Sequence, residues 1–490
     1  MPTFGRRPIF TAYAEVNDRN IRDVLAQAMG DFKRNQAEIR HLFDVYRGNQ
    51  PILQRVKEVR PNINNKCVLN HANEIVSFKV SYLLSEPIMY VKRGAKKATK
   101  AIAKLSDYMH LEAKSAKDKE IADDFNICGV AYRLVLPNSN PNYAAMDESP
   151  FNVYTLNPEQ TFVVRYTGIG APVVCGVFMI IRKDEATGID HEIANVYTDK
   201  AFYEIDLSGG ANGVTILQRI DHTLGRVPII EYINNNSRIG SFEIVETLLD
   251  TMNTLQSNRI DGTEQTVQSL MVFKNCEYDG EDDLDAIKDN GAVMIKSGQG
   301  VDSDLKLLSP ELNQGDQQVL MDNLYKEVLT ITGMPAMASE NTSDSSNNGA
   351  AFMRGGWYSA DARAKDSELL WKRSETEFLR VVLGICRNMG VLNLSISEID
   401  MKFTRRNYED ILSKSQTLTN MLSSGIDPLH AIAQCGLFGD PTEVYEASLP
   451  YLKKWEYEDT TDDNSENPED NDDQNNAAVN LKKDAMKDNA

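Results

Sequence analysis

The sequence predicts an α+β fold, and three observations carry that prediction. Two helices with apolar faces open the chain, a series of short β-like runs fills the rest of its first half, and long helices dominate its second half. The composition, 41% hydrophobic and 25% charged, is that of a globular protein. At 490 residues the chain exceeds one comfortable core, so roughly three or four units are expected, some assembled from distant segments.

The first helix is written in Ile21–Tyr46, where Val24, Leu25, Ala28, Phe32, Ile39 and Leu42 recur at helical spacing and Gly48 follows as a stop. A second runs over 70–84, with Ile75, Val76, Val80, Leu83 and Leu84 on one side; Pro87 ends it and 88–91 turns to strand. Residues 129–136 (GVAYRLVL), 153–156, 161–166, 173–181, 193–197 and 214–218 then read as strands divided by Gly, Asn, Pro and Asp.

From Gly240 the pattern becomes a helix of roughly thirty residues, about 45 Å long at 1.5 Å per residue. Phe242, Val245, Leu249 and Met252 give its first half an apolar face, whereas 256–266 is mostly polar and is expected to be wet. A β-like insert, 272–308, carries an acidic knot and the turn residues Gly291, Gly298 and Gly300. A third helix starts at 313–316, presents Leu320, Leu324, Val328 and Ile331, and ends at Gly333 and Pro335. The expected picture is a helical hairpin with a small β tip.

Residues 338–348 (ASENTSDSSNN) lack apolar anchors and read as a movable loop. Beyond Gly355 and Gly356, an apolar or small residue falls at each alternating three- and four-residue step from Trp357 through Ala360, Ala364, Ser367, Trp371, Ser374, Phe378, Val381 and Ile385 to Met389. That row is the seam of one long helix. Arg354, Arg363, Lys365, Lys372, Arg373 and Arg380, nearly balanced by Asp361, Asp366, Glu368, Glu375 and Glu377, read as its solvated or subunit-facing side. A short strand is expected at 401–404. Asp427-Pro428 and Asp440-Pro441 with Glu443 are helix starts in a small C-terminal bundle. Residues 456–473 hold many acids and no base, and the final thirty or so are expected to be disordered.

No GxxxxGK[ST], HExxH, CxxC or GxSxG motif occurs, so no enzyme activity and no cofactor are expected. His71 and Glu74 share a helix face as a surface hydrogen-bonded pair. The DGEDDLD run, with Asp279, Glu281, Asp282 and Asp283, lacks the alternation and position-six Gly of a calcium loop and reads as a solvated or protein-docking turn. A metal-dependent nuclease built on Asp279, Asp282 and Asp283 is a different class of reading, with no accompanying motif. Six scattered cysteines read as reduced apolar fillers. The net charge of −20 argues against tight binding to phosphate backbones. No run reaches membrane-spanning length and the first twenty residues lack a signal-peptide core, so the cytoplasm, or a particle assembled there, is expected.

Several stretches, taken in order, resemble the tailed-bacteriophage portal protein family, in its SPP1-type branch. They are YRGNQPI (46–52), NHANEIVSFKVSYLLSEPIMY (70–90), HTLGRVPIIEYINN (222–235) with the RIGSFE entry to the long helix, and ITGMPAMAS with its Ser/Asn loop and GAAFMRGGW. Each is weak alone, and their order makes the match specific up to about Arg405. Ser85 stands where the family usually has Gly, and Glu86-Pro87 still makes the turn.

The resemblance implies a portal fold: a wing (1–238), stem helix 1 (239–271), a clip (272–312), stem helix 2 (313–334) and a tunnel loop (335–352). A long helix and strand (353–404) complete the wing, followed by a helical crown (405–456) and an acidic tail (457–490). It implies a homo-oligomeric ring, dodecameric as a rule, at one capsid vertex of the virion after assembly in the host cytoplasm. Double-stranded DNA would pass without sequence-specific binding, and terminase, the head-tail connector, major capsid and scaffold proteins would be partners. The tunnel-loop residues would be Ser339, Asn341, Ser343, Asp344, Ser345, Ser346, Asn347 and Asn348; Asp279, Glu281, Asp282 and Asp283 would serve clip docking. The competing reading is another capsid-associated adaptor or scaffold without DNA passage, or a cellular binding module.

Overall fold

The computed structural model describes residues 5–58, 61–93, 100–183, 188–209, 214–267, 270–274, 304–308, 314–335, 356–404, 411–438 and 441–452. Strand β1 (Ile9–Thr11) precedes helix α1 (Ile21–Tyr46), which ends where predicted, with Gly48 at φ +90°. Helix α2 (His71–Leu83), strand β2 (Met89–Lys92) and helices α3 (Lys100–Leu111) and α4 (Lys114–Cys128) lead into β3 (Val130–Pro137) and β4 (Phe151–Leu156). The strand-rich stretch continues through β5 (Thr161–Tyr166), β6 (Val173–Lys183), β7 (Asp190–Tyr197), β8 (Ala201–Asp206), β9 (Thr215–Asp221) and β10 (Ile229–Ile233).

Apart from β2, these strands form two sheets. One has the order β1-β5-β6-β7-β8-β9, with β1 parallel to β5 and every other pair antiparallel. The other is an antiparallel triple, β10-β3-β4. Helix α1 serves two cores, because its first half (Ile21, Leu25, Phe32) packs on the six-stranded sheet with Phe162 and Val177. Its second half (Ile39, Leu42, Val45) joins α2, α4 and the triple sheet.

Helix α5 (Glu246–Val267) follows a short 3-10 turn at Glu243–Val245, so it begins six residues later than the sequence suggested and runs unbroken through Gly262. The turn there absorbs the apolar residues Phe242 and Val245, which are fully buried. Strands β11 (Leu270–Lys274) and β12 (Asp304–Leu308) pair antiparallel, Leu270 opposite Leu308, and α6 (Gln314–Thr332) returns alongside α5. The expected helical hairpin is therefore present, and two paired strands stand where its β tip was expected to begin; residues 275–303 of that insert lie outside the described residues.

Helix α7 (Trp357–Asn388) is the long seam helix, starting directly after Gly356. Ala360, Trp371, Ser374, Phe378, Val381 and Ile385 are buried as the spacing required, while Met389 lies at the surface. Strand β13 (Ile399–Lys402) pairs with β2, so the end of this segment is stitched back to the N-terminal part of the chain. Helices α8 (Ile411–Ser423) and α9 (Pro428–Cys435) pack together, and Asp427 caps α9 by accepting from the His430 amide at 3.3 Å. Helix α10 spans Pro441–Leu452.

Candidate functional site

Among the described residues, the features considered as a candidate site are the α5–α6 hairpin and the contacts that mount it and α7. The mount begins in the RIGSFE stretch. The Glu243 carboxylate accepts from the Gly5 and Gly240 amides at 3.0 and 2.8 Å and from Arg6 Nη2 at 2.6 Å. Ser241 Oγ donates to Asn126 Oδ1 at 2.6 Å, and Arg238 pairs with Glu231 at 3.1 Å. The motif thus gathers the chain start, α4 and β10 at the entrance to α5.

The polar half of α5 is not wet on every side. Asn253, Ser257 and Asp261, four residues apart, are buried to 1%, 0% and 2% exposure against the segment 50–69. The amide of Leu69 donates to Asn253 Oδ1 at 2.9 Å, that of Cys67 to Ser257 Oγ at 2.9 Å, and that of Asn65 to Asp261 Oδ1 at 2.7 Å. The spacing explains the fit: two residues of extended chain rise about 6.6 Å and four residues of helix about 6 Å, so alternate amides meet successive turns. Sequence periodicity read these residues as a wet face because a side chain that satisfies another segment's backbone looks, in one dimension, like one that satisfies water. Thr251, Thr254, Asn258 and Ile260, which flank this row, are exposed, and Asn258 Oδ1 still accepts from Arg55 Nη2.

Asp261 closes this zipper with charge. Lys57 hydrogen-bonds its Oδ2, and Arg55 Nη1 lies 3.4 Å from the same oxygen. Burial works against the ionised form, but the bonds from Lys57 and Asn65 prevail and hold the carboxyl below its ordinary range. His71 Nδ1 contacts Glu74 at 2.7 Å as expected, and Tyr325 of α6 also donates to Glu74 at 2.6 Å, so the pair joins α2 to the hairpin rather than decorating the surface.

A second constellation locks α7. Glu375, Arg133 on β3, and Lys114 and Asp118 on α4 are all buried. Lys114 Nζ lies 2.7 Å from Asp118 and 2.8 Å from Glu375; Arg133 Nη2 lies 2.6 Å from Asp118. Tyr90 of β2 and Tyr232 of β10 donate to the two Glu375 oxygens at 2.5 and 2.7 Å. Two cations and two carboxylates cancel, and the phenols fill the remaining lone pairs, the condition under which buried ions are tolerated. Burial opposes ionisation of Glu375, yet Lys114 and Arg133 bring its pKa down to about 2. The sequence placed Glu375 on the solvated side of the rod; the structure buries it, because its balancing cations come from distant segments that helical spacing cannot reveal.

The last attachment is at the C-terminus of α6. Arg363 Nη1 donates to Ile331 O at 2.6 Å, satisfying a carbonyl that the helix end leaves open. Gly333 follows in the left-handed region at φ +71°, and a Cβ there would come within 2.3 Å of Arg363 Cδ. Trp357 at the start of α7 sits over Phe78 and Tyr82, with ring centroids 6.0 and 5.9 Å away. The loop residues Ser339, Asn341, Ser343, Asp344, Ser345, Ser346, Asn347 and Asn348 lie outside the described residues, as do Asp279, Glu281, Asp282 and Asp283.

A match to the family model for phage portal proteins of the SPP1 Gp6-like type extends over residues 29–480. The chain belongs to this portal protein family. The portal protein of Bacillus phage SPP1 is 22% identical to it over 391 residues, which cover 75% of this chain and 72% of that relative.

Membership in the portal family implies a structural component of the phage virion capsid. Among the described residues, no group of three or more His, Cys, Asp or Glu is arranged to hold a metal ion, and no helix is long and apolar enough to cross a membrane. Cys67, Cys128, Cys175, Cys386 and Cys435 are free thiols, four of them buried, whereas Cys276 lies outside the described residues. Sequence reasoning missed both the α5 zipper and the ionic lock. The only signal for the lock was an acid, Glu375, beside the seam residues Ser374 and Phe378.

Proposed function

We propose that this chain assembles into a ring at one capsid vertex, forms the channel for DNA packaging and ejection, and offers a docking platform to terminase and the head-tail connector. The family match carries the reading. In it, 1–238 and 353–404 build the wing, 239–271 and 313–334 the stem, 272–312 the clip, 335–352 the tunnel loop, 405–456 the crown and 457–490 an acidic tail. Asp279, Glu281, Asp282 and Asp283 would present the clip's docking face.

The physical features of the hairpin support this arrangement. Ile260, Val319 and Leu320 are exposed on α5 and α6, at 37%, 59% and 47%, although the helices carry polar residues around them. Such side chains are suited to pack on the hairpin of a neighbouring copy. The polar row Asn253, Ser257 and Asp261 of α5 is fastened to the chain's own residues 65–69, so the hairpin would meet its neighbours as a braced strut.

DNA must slide through such a ring. Each phosphate neutralised by a wall cation adds about one unit to the salt dependence of binding, so a wall rich in Lys and Arg would brake transit. The net charge of −20 disfavours such a brake. In the phage that encodes it, removal of this chain should leave particles without packaged genome, read by nuclease-protected DNA, and complementation should restore them. Filled heads in its absence would contradict the proposal.

A further inference from the structure

A small cavity lies between α2, α4, α7 and the end of α6, apart from the ionic lock and the α5 zipper. Its volume is about 40 Å³, and Lys79, Tyr82, Phe125, Asn126, Gly333 and Arg363 are among its walls. Roughly 10–15 Å³ of such space holds one water, so the cavity takes a group of about three heavy atoms.

Its chemistry is one-sided. Two of its lining residues, Lys79 and Arg363, are cationic, and no carboxylate lines it. Tyr82 is the other titratable lining group. The polar wall residues already serve their own surroundings: Asn126 Nδ2 donates to Ala122 O at 2.8 Å, Asn234 Nδ2 to Ile239 O at 3.0 Å and Thr332 Oγ1 to Val328 O at 2.7 Å. Arg363 is held over the end of α6 by its bond to Ile331 O. Among the described residues, the Lys79 ammonium has neither a hydrogen bond nor an ion pair. The Lys79 side chain is half-buried, and this burial, then the charge of Arg363, lowers its pKa to about 8, a shift that a bound anion would reverse.

We infer that this cavity is a binding site for one carboxylate-sized anion, held between Lys79 and Arg363. The rings of Phe78, Tyr82 and Phe125 would exclude larger ions, and the two cations from α2 and α7 would close on the same group. The anion would also tie α7 to α2 beside the end of α6. A free small anion or an acidic side chain could supply the same chemistry.

The test is thermal unfolding of the intact protein, of Lys79→Met and of Lys79→Arg, in sodium acetate against an equal ionic strength of a bulky organic sulfonate. Circular dichroism confirms that the variants are folded. A free-anion site predicts that acetate at tenfold over half-saturation raises the wild-type Tm by about 2 °C and leaves Lys79→Met unmoved. An acidic side chain supplied by a neighbouring copy predicts no acetate response in any of the three proteins and a Tm that falls in Lys79→Met and is retained in Lys79→Arg. Either of these results supports the site, whereas no acetate response with an equal fall in both variants would show lost packing alone and overturn it. A higher Tm for Lys79→Met with no acetate response in the wild type would show an unrelieved buried cation and overturn the inference.

Discussion

Arg133 of β3 and Glu375 of α7 lie 3.4 Å apart with neither side chain exposed to solvent, although 242 residues separate them. The pair fixes where the long helix rests on the triple sheet, because one helical step along α7 would remove Glu375 from four donors at once.

Glu375→Ala should therefore destabilise the fold by about 3–5 kcal/mol, since it leaves two cations facing one carboxylate in a buried space. The double variant Arg133→Met with Glu375→Leu should recover part of that loss, because the neutral pair Lys114 and Asp118 remains. Denaturant midpoints of the three proteins check the order.

The same cluster sets an acid limit. Glu375 is held at about 2 against 4.5 for the free side chain, so its contribution is fully present above about 4.5 and is lost as pH falls through about 2. Unfolding followed across that window should be steeper in the wild type than in Glu375→Gln; equal slopes would remove Glu375 from the explanation.

Ser257→Ala should leave the half-buried Cys67 amide without its acceptor, at a cost of about 1 kcal/mol. Asp261→Asn should loosen the Lys57 and Asn65 contacts in the same zipper. Hydrogen exchange of peptides covering 64–69 should accelerate in both variants while those of β6 stay protected.

His41 of α1 hydrogen-bonds Glu246 at the start of α5, and that bond, against some loss by burial, raises the imidazole pKa. A raised pKa means that the contact stabilises fully below about 6.5 and fades as pH rises through the folded value. The stability difference between wild type and His41→Gln should shrink from pH 6 to pH 9. A difference that is constant with pH would contradict this.

How much of this was legible in the sequence depends on what satisfies each residue. Ile21–Tyr46 and Trp357–Asn388 were readable because their apolar residues recur at helical spacing wherever the helix meets a core, α1 along two cores in turn and α7 along one. Helix α4 was not, because Lys114, Asp118 and Asn126 are buried on it and erase its apolar period. Strands β8 and β10 are absent from the strands the sequence predicted, although Tyr203 and Tyr232 are buried in them. The α5 zipper was illegible for the same reason: its partners are polar groups 184 to 204 residues apart, and single-sequence periodicity carries no such information.

Leu320→Asp should separate folding from assembly. Leu320 is 47% exposed on α6, so the charge costs the single chain about 0.5 kcal/mol or less, yet it would meet a neighbouring hairpin in a ring. Unchanged circular dichroism with a loss of the large species in sedimentation is the expected outcome.

Ser345→Pro with Asn348→Pro, in the proposed tunnel loop, should reduce packaging in infected cells while rings still form. Normal yields of filled heads from that variant would remove the loop from the mechanism.

The most direct measurement is electron microscopy of the purified protein in negative stain. The account predicts radial particles with a stain-filled central hole wide enough for a DNA duplex, about 20 Å or more across. Solitary compact particles under every condition, including those extracted from maturing heads, would contradict it.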